Sequence, residues 1–202
     1  PKFVGGAIVA PYQSTLRDLT RGRKVPDATL INMGEALRVS RRWYDHGSFS
    51  INLGGERMMA ARKSQSAAAQ RKILSESIAA LRHGLARMPG QPYAWLQLAQ
   101  AARARDGAKR YVENYLALSL RLAPWEHRLV MPRLNIALGI WRVLGSEFKA
   151  TLPRQFERAV DTAPVALAQA ARRNFALGAV RQMLAGSPVH LQRFQIVYLS
   201  PD

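Results

Sequence analysis

Apolar residues recur at helical spacing along most of the chain. Between residues 67 and 88 they follow one another at steps of four, three, four and three, and they are Leu74, Ile78, Leu81, Leu85 and Met88. This spacing places all of them on one face of an α-helix. Pro89-Gly90 then ends the pattern. The sequence therefore predicts a helix from Ala67 to Met88 with one buried face.

Similar patterns, bounded by proline, glycine and polar turn residues, predict further helices. They are expected at 28–44, about 53–63, 93–105, 108–123, a segment that ends near Leu144 with Pro132 in its first turn, 152–163 and 164–185. A break is expected at Gly47–Ser50. Asp106-Gly107 is expected to turn the chain between two helices and so to form a helical hairpin.

Both ends of the chain are expected to be irregular. The apolar run at residues 3–11 is too short to span a bilayer, which needs about 20 residues. It is interpreted as a buried extended segment or, by a slight preference, as the end of a membrane anchor or signal. Residues 194–199 favour a β-strand, but one short run cannot form a sheet. Residues 186–202 are therefore predicted to be an extended tail.

Three prolines mark a repeat. Pro89, Pro124 and Pro164 are separated by 35 and 40 residues, and each follows a similar helix-ending phrase. A period near 34 with two helices in each unit is typical of the tetratricopeptide repeat. The central unit resembles this family at its characteristic positions, which are Trp95, Leu98 and Ala99 in the first helix and Leu116, Ser119 and Pro124 in the second.

This resemblance covers about residues 68–164 and includes departures from the family pattern. Ala102 replaces the expected tyrosine, and the turn is one residue longer than in the standard unit. A plain helical bundle is the alternative. The resemblance implies an all-α fold with a short array of helical hairpins, a TPR-like solenoid, at 67–185. A helical segment at 25–66 precedes it, and irregular extensions at 1–24 and 186–202 flank the whole.

A looser resemblance extends over about 80 residues. The phrases at 92–99 and 119–126, with Arg133-Leu134 and Trp141, are similar to small helical-repeat proteins of Gram-negative bacteria. Those proteins are encoded with exopolysaccharide assembly and protein-sorting systems, and commonly carry an N-terminal membrane anchor before a periplasmic repeat domain. The resemblance implies a periplasmic or membrane-associated protein. It provides no active-site residues.

Charge favours an anionic partner without identifying one. The 202 residues include 30 Lys and Arg against 13 Asp and Glu, which gives a formal net charge of +17. The excess is spread almost evenly, with +6 in residues 1–64, +6 in 65–124 and +5 in 125–202. A nucleic-acid-binding arm usually concentrates its charge. A GC-rich genome explains an arginine excess equally well, and 24 of the 30 basic residues are arginine.

The residues that carry chemistry give a mostly negative result. The absence of cysteine excludes disulfides, thiolate metal sites and a thiol nucleophile. The four histidines are far apart and lack metal-ligand spacing, and the glycines fit no phosphate-binding loop. We therefore expect no catalytic, metal-binding or cofactor-binding residues, no cofactor, and a protein that is not an enzyme.

Two sets of residues are candidate binding sites. A partner protein would contact side chains of a curved helical array, and these are Tyr93, Gln97, Gln100, Arg103, Arg128 and Arg133. An anionic membrane surface or acidic polysaccharide would contact basic residues, and these are Arg17, Arg21, Arg23, Lys24, Arg71, Lys72, Arg105, Lys109 and Arg110. Nucleic acid is the less favoured partner because no helix-turn-helix, RNP-like or zinc-finger signature is present.

The sequence thus predicts a non-catalytic protein–protein interaction scaffold. We expect an accessory subunit of a bacterial envelope or membrane complex, such as polysaccharide assembly. The alternative is a basic cytoplasmic helical adaptor that binds nucleic acid or another anionic polymer.

Overall fold

The computed structural model describes residues 2–20, 23–43 and 46–200, and the regular structure of these residues is entirely helical. The all-α prediction is therefore confirmed. The α-helices are α1 (Lys2–Val9), α2 (Gln13–Thr20), α3 (Asp27–Trp43), α4 (Gly47–Lys63), α5 (Ala67–Arg87), α6 (Pro92–Asp106), α7 (Arg110–Leu122), α8 (His127–Gly139), α9 (Ser146–Ala150), α10 (Pro153–Thr162), α11 (Pro164–Arg173), α12 (Leu177–Leu184) and α13 (Pro188–Leu199). Short 3-10 turns occupy Ala10–Tyr12 and Trp141–Val143.

The chain forms two compact units, Pro1–Arg105 and Asp106–Asp202. The division falls at the end of α6, inside the 67–185 segment that the sequence predicted as one domain. The predicted hairpin of α6 and α7 has one helix in each unit, so a TPR-like packing of these two helices stays a prediction.

The first unit is built around α3, α4 and α5. A buried cluster joins Val9 of α1 to Leu30, Met33 and Leu37 of α3 and to Leu53 of α4. Burial of these side chains supplies the main stabilising free energy of such a cluster.

Helices α4 and α5 approach each other through small residues. A Cβ atom on Gly84 would lie 2.7 Å from the carbonyl oxygen of Gly47, and one on Gly54 would lie 2.5 Å from the Leu81 side chain. The Ser77 hydroxyl donates a 2.7 Å hydrogen bond to the Gly54 carbonyl. The two backbones can touch only because glycine occupies these positions.

Helix α4 begins earlier than the sequence predicted. The expected break at Gly47–Ser50 is wrong, because these residues form the first turn of α4. The backbone N–H of Ser48 donates to Nδ1 of His46 at 3.3 Å, so a histidine caps this helix. The chain between α3 and α4 is correspondingly short.

The second unit has its core between α8, α10, α11 and α13. Its completely buried large side chains include Leu134, Phe156, Leu167 and Phe194. Phe156 also meets the Trp141 ring edge-on, with ring centroids 6.4 Å apart. These contacts hold α10, which also forms one wall of the candidate site.

Three helix ends repeat one geometry. Helices α5, α7 and α10 each end two residues before one of the three repeat prolines. Their cap residues share φ values of −135° to −154° and ψ values of 54° to 69°, and these residues are Met88, Ala123 and Ala163. Each cap N–H bonds to a small buried residue four positions earlier, and these residues are Gly84, Ser119 and Ala159. The proline spacing therefore marks a repeated local structure.

Helix α8 starts at His127, so Pro132 is its sixth residue rather than part of its first turn. Glu126 sets this start because its Oε1 accepts the backbone N–H of Arg128 at 3.2 Å. Proline inside a helix removes one backbone hydrogen bond. Because Pro132 lies inside α8, its predicted position in the first turn is wrong.

The single helix predicted at 164–185 is also wrong, because the chain breaks between α11 and α12. Phe175 has φ = +50°, in the left-handed region that non-glycine residues rarely adopt. The N–H of Ala176 donates to the Ala171 carbonyl at 2.9 Å and so closes the turn. Neither glycine nor proline marks this break.

Most of the described residues at the two ends of the chain are helical, so the predicted irregular extensions are wrong. Ser40 fixes α1 on α3 by donating a 3.0 Å hydrogen bond to the Gly5 carbonyl. The predicted tail at 186–202 contains α13, because Pro188 opens a helix whose Phe194 fills the core. Among the described residues, no helix has both the length and the apolar character needed to cross a membrane.

Candidate functional site

The second unit contains a groove of about 560 Å³. Helices α7, α9 and α10 and the turn before α8 form its walls. The lining residues are Glu113, Asn114, Ala117, Leu120, Arg121, Pro124, Trp125, Glu147, Phe148, Thr151, Arg154 and Gln155.

The floor of the groove is apolar. Leu120 and Phe148 are 9% and 7% exposed, and Ala117 lies one helical turn before Leu120. The Gly145 N–H donates a 2.7 Å hydrogen bond to Oε2 of Glu113, which places the start of α9 against α7. A side chain on Gly145 would meet the same carboxylate at 3.2 Å. The wall is therefore positioned by a half-buried hydrogen bond as well as by apolar packing.

Trp125 is 62% exposed at the edge of this groove, directly after Pro124. The guanidinium of Arg158 lies over its ring, 5.0 Å from the centroid. Nη1 of Arg158 also donates a 3.0 Å hydrogen bond to the Trp125 carbonyl. Arg158 thus holds both the backbone and the ring of Trp125, so this large apolar surface is fixed in place while much of it faces solvent.

Gln155 is a buried polar residue of the groove wall, with 5% of its surface exposed. Its Nε2 donates a 2.9 Å hydrogen bond to the Pro124 carbonyl. Its Oε1 accepts no hydrogen bond from any residue that the structure describes. A buried acceptor without a donor is destabilising, so a small movement that admits an N–H or O–H donor would be favourable.

The rim carries charges of both signs. Arg121, Arg154 and Glu147 are exposed, and neither arginine forms an ion pair within the described part of the chain. An apolar floor, a fixed aromatic edge and a rim of mixed charge suit an extended peptide segment. No group of three or more potential metal ligands occurs among the residues that the structure describes.

The predicted partner-binding residues lie on two helices in different units. Tyr93, Gln97, Gln100 and Arg103 belong to α6 of the first unit, and Tyr93 is 45% exposed. The other three are half-buried, and burial lowers the pKa of Arg103 below its ordinary value. Gln97 lies close to Gly55, whose Cβ would be 3.2 Å from its Nε2. Their role in partner binding stays a prediction.

Arg133 was also predicted to contact a partner, and its burial contradicts this prediction. Only 3% of the residue is exposed. Nε donates to the Ser119 hydroxyl at 3.0 Å, Nη2 to the Ser119 carbonyl at 2.5 Å, and Nη1 to the Ala123 carbonyl at 3.0 Å. Arg133 therefore binds the C-terminal end of α7: it adds a second donor to the Ser119 carbonyl, which also accepts the Ala123 N–H, and it supplies a donor to the Ala123 carbonyl. The exposed Arg128, on the same helix, remains available to a partner.

Most of the predicted anionic-surface residues are exposed. In the first unit, Arg17, Arg23, Lys24, Arg71 and Lys72 face solvent, while Arg21 lies outside the described residues. Arg23 pairs with Asp18 at 3.1 Å, which reduces its attraction for another anion.

The remaining three residues of this set lie at the division of the chain. Arg105 is half-buried, and its Nη1 donates to the Ser75 hydroxyl of α5 at 3.4 Å. Ser75 follows Arg71 by one helical turn and donates to its carbonyl at 2.9 Å. The structure thus brings Arg105 near the exposed pair Arg71 and Lys72. Lys109 and Arg110 are exposed at the start of α7, in the second unit.

Sequence reasoning missed the groove. Trp125 follows a repeat proline directly and lies in a polar stretch, and this position is the one feature of the sequence that could have indicated an exposed aromatic side chain. The separation of Trp125 from Arg158, 33 residues along the chain, hides their contact from any local pattern. The same holds for Gln155, which lies 31 residues from its acceptor Pro124.

Comparison with known proteins adds no relationship: no family model, no curated protein and no solved structure matches the chain.

Proposed function

We propose that this chain is a non-catalytic interaction scaffold whose groove in the second unit binds an extended segment of a partner protein. The observation that carries this proposal is Trp125, a fixed aromatic side chain that is 62% exposed at the groove edge. Trp and Arg are the residues most enriched among those that dominate binding free energy. A ring that is already ordered loses little conformational entropy on binding.

The mixed charge of the groove supports a peptide over a polyanion. Two arginines and two carboxylates line it, so a uniformly negative polymer would meet repulsion as well as attraction. A peptide can match both signs and can present an N–H group to Oε1 of Gln155. Basic residues elsewhere on the surface are the sites for a polyanion under the alternative function.

We place the scaffold in a bacterial envelope or membrane complex as an accessory subunit, in a periplasmic or membrane-associated location. The resemblance to membrane-anchored repeat proteins supports this context, with polysaccharide assembly as the favoured example. The repeated geometry at the ends of α5, α7 and α10 supports a repeat-type scaffold.

One cluster of the second unit contains the residue types of a hydrolase. Ser187 Oγ lies 2.6 Å from Nδ1 of His190, whose Nε2 lies 3.3 Å from Asp161 Oδ2. Arg193 also pairs with this Asp161 at 3.3 Å. Ser187 is the N-cap residue of α13 and His190 lies in its first turn, so the cluster ties the start of α13 to the end of α10. We assign it a structural role and keep the scaffold non-catalytic.

The test is photo-crosslinking in the native host. A photoreactive amino acid at Asn114, which lines the groove, should form a discrete adduct with one partner. The same probe at the exposed Arg142 is the matched control and should not form this adduct. Trp125→Ala should weaken the Asn114 adduct by about tenfold or more, because an interface tryptophan commonly contributes 2 kcal/mol or more.

An adduct of equal intensity at Arg142, or one that survives Trp125→Ala unchanged, would contradict the groove proposal. Binding to an anionic polymer that falls steeply with salt and is insensitive to Trp125→Ala would instead favour the basic adaptor.

A further inference from the structure

Phe175 is the most exposed large apolar side chain of the described residues, with 98% of its surface facing solvent. It also occupies a backbone position that disfavours it, with φ = +50°. The turn is a helix C-terminal motif, since Phe175 N–H donates to the Arg172 carbonyl and Ala176 N–H to the Ala171 carbonyl. Glycine is the usual residue there because it has no Cβ. The stability of the fold therefore explains neither why a phenylalanine occupies this turn nor why its ring is exposed.

A second group of exposed apolar residues lies at the same end of the unit. Nη2 of Arg172 donates to the carbonyls of Tyr198 at 2.6 Å and Ser200 at 3.0 Å. These bonds place the C-terminal end of α13 beside the C-terminal end of α11. Ile196 and Leu199, in the last turn of α13, are 60% and 77% exposed. We call Phe175, Ile196 and Leu199, with Arg172 and Arg173, the α11–α13 end.

Among the described residues, the charged side chains that define this end are Arg172 and Arg173, and both are positive. Arg172 lies over the Tyr198 ring at 5.2 Å, and Arg173 donates to Oδ1 of Asn135 at 3.3 Å. Arg173 forms no ion pair with any residue that the structure describes. The acidic Asp161 contacts His190 and Arg193, in the first half of α13. Apolar rings and aliphatic chains beside arginine form the pattern that binds the boundary between lipid headgroups and acyl chains.

We propose that the α11–α13 end docks on an anionic lipid surface, with Phe175 inserted among the acyl chains. Charge complementarity selects this occupant, because the arginines match anionic headgroups while the protruding ring reaches below them. The surface is separate from the groove, so its function does not depend on groove binding. The chain would bind peripherally through this end and leave the groove free for a partner.

Sedimentation of the full chain with vesicles tests the proposal. Binding is expected to vesicles of phosphatidylcholine mixed with phosphatidylglycerol, and to be much weaker to phosphatidylcholine alone. Phe175→Gly removes the ring while keeping the backbone conformation, so it should fold and should lower vesicle affinity about tenfold or more. Arg173→Gln should lower the affinity for the mixed vesicles but not for phosphatidylcholine vesicles. It should also make binding to the mixed vesicles less dependent on salt concentration.

Val189→Ser is the matched control, because Val189 is 61% exposed at the opposite end of α13. It should leave vesicle affinity unchanged. The proposal is overturned if the unmodified chain does not bind the mixed vesicles, if both vesicle types bind equally, or if Phe175→Gly and Val189→Ser lose affinity equally. A protein adduct captured by a photoreactive residue at 175, without vesicle binding, would also overturn it and assign this end to a protein pocket.

Discussion

Glu56 carries a carboxyl group that is almost completely buried in the first unit, with 3% of the side chain exposed. It lies against Gly34 of α3, whose Cβ would be 2.8 Å from Oε2. That oxygen has no hydrogen-bond donor among the described residues. Burial is the largest influence, and it raises the pKa of Glu56. The positive charge of Arg57, 3.5 Å away, opposes this rise, and the negative charge of Glu76 adds to it. The native state therefore holds this proton more tightly than the unfolded chain does.

We predict that Glu56→Gln stabilises the protein at neutral pH. Because the folded pKa is raised, the native state binds more protons, and Glu56 costs stability as pH rises from the ordinary value of 4.5 through the folded value. Each pKa unit of this rise corresponds to about 1.4 kcal/mol. Urea unfolding of both forms at about pH 5 and about pH 8 should show a smaller loss of stability with pH for Glu56→Gln.

The exposed Glu35 is the control, since its hydrogen bond with Arg38 lowers the pKa of this carboxyl. Glu35→Gln should not reproduce the gain. Equal pH dependence of Glu56→Gln and the unmodified chain would show that Glu56 titrates normally.

Arg133 leads to the second residue-scale prediction. Lysine cannot make the three hydrogen bonds that the guanidinium donates to Ser119 and Ala123. Arg133→Lys should therefore lower the free energy of unfolding by about 2 to 3 kcal/mol. The exposed Arg128 is the matched control, and Arg128→Lys should change the free energy of unfolding by less than about 0.5 kcal/mol.

Chemical unfolding followed by circular dichroism measures both variants. Full stability of Arg133→Lys, with loss of the partner adduct, would restore the partner-binding role that the sequence suggested. The sequence shows where an arginine stands, but its burial depends on the approach of α7 and α8.

At the scale of elements, local signals located most helices, and the rest depended on distant contacts. The periodicity of 67–88 and the proline after it predicted α5 to within one residue. The β-prone run at 194–199 is helical instead, because Phe194 enters the core and Arg172 binds the end of α13. Strand propensity is weak when tertiary packing opposes it. The break at Phe175 had no glycine or proline to reveal it.

The α4–α5 contact gives the element-scale prediction. A methyl group on Gly84 would lie 2.7 Å from the Gly47 carbonyl oxygen and 2.9 Å from the Ile51 nitrogen, and backbone atoms cannot move aside cheaply. Gly84→Ala should lower the free energy of unfolding by about 2 kcal/mol or more. Thermal and urea unfolding measure the loss.

Gly178 is the matched control because it also lies within a helix, and nothing would meet its Cβ within 4 Å. Gly178→Ala should be neutral or stabilising by up to about 1 kcal/mol. Similar effects at both positions would mean that helix propensity, rather than close approach, governs Gly84.

At the scale of the whole molecule, the two units divide the charge unequally. Residues 1–105 contain 17 basic and 6 acidic residues, a net charge of +11, while 106–202 contain 13 and 7, a net charge of +6. The net charge looked even when it was counted over residues 1–64, 65–124 and 125–202, because those boundaries do not coincide with the division between the two units. An anionic polymer, the partner under the alternative proposal, would therefore find more basic residues on the first unit, where Arg71 and Lys72 are exposed. The groove and the α11–α13 end belong to the second.

The glycine contact between α4 and α5 has a mechanical consequence. Helices separated by side chains can slide or rotate as those side chains change rotamer, whereas backbones in direct contact have no such compliant layer. Helices α4 and α5 therefore move as one rigid pair, joined by close contacts at Gly47, Gly54 and Gly84 and by the Ser77 hydrogen bond. Any hinge within the first unit has to lie outside this pair of helices.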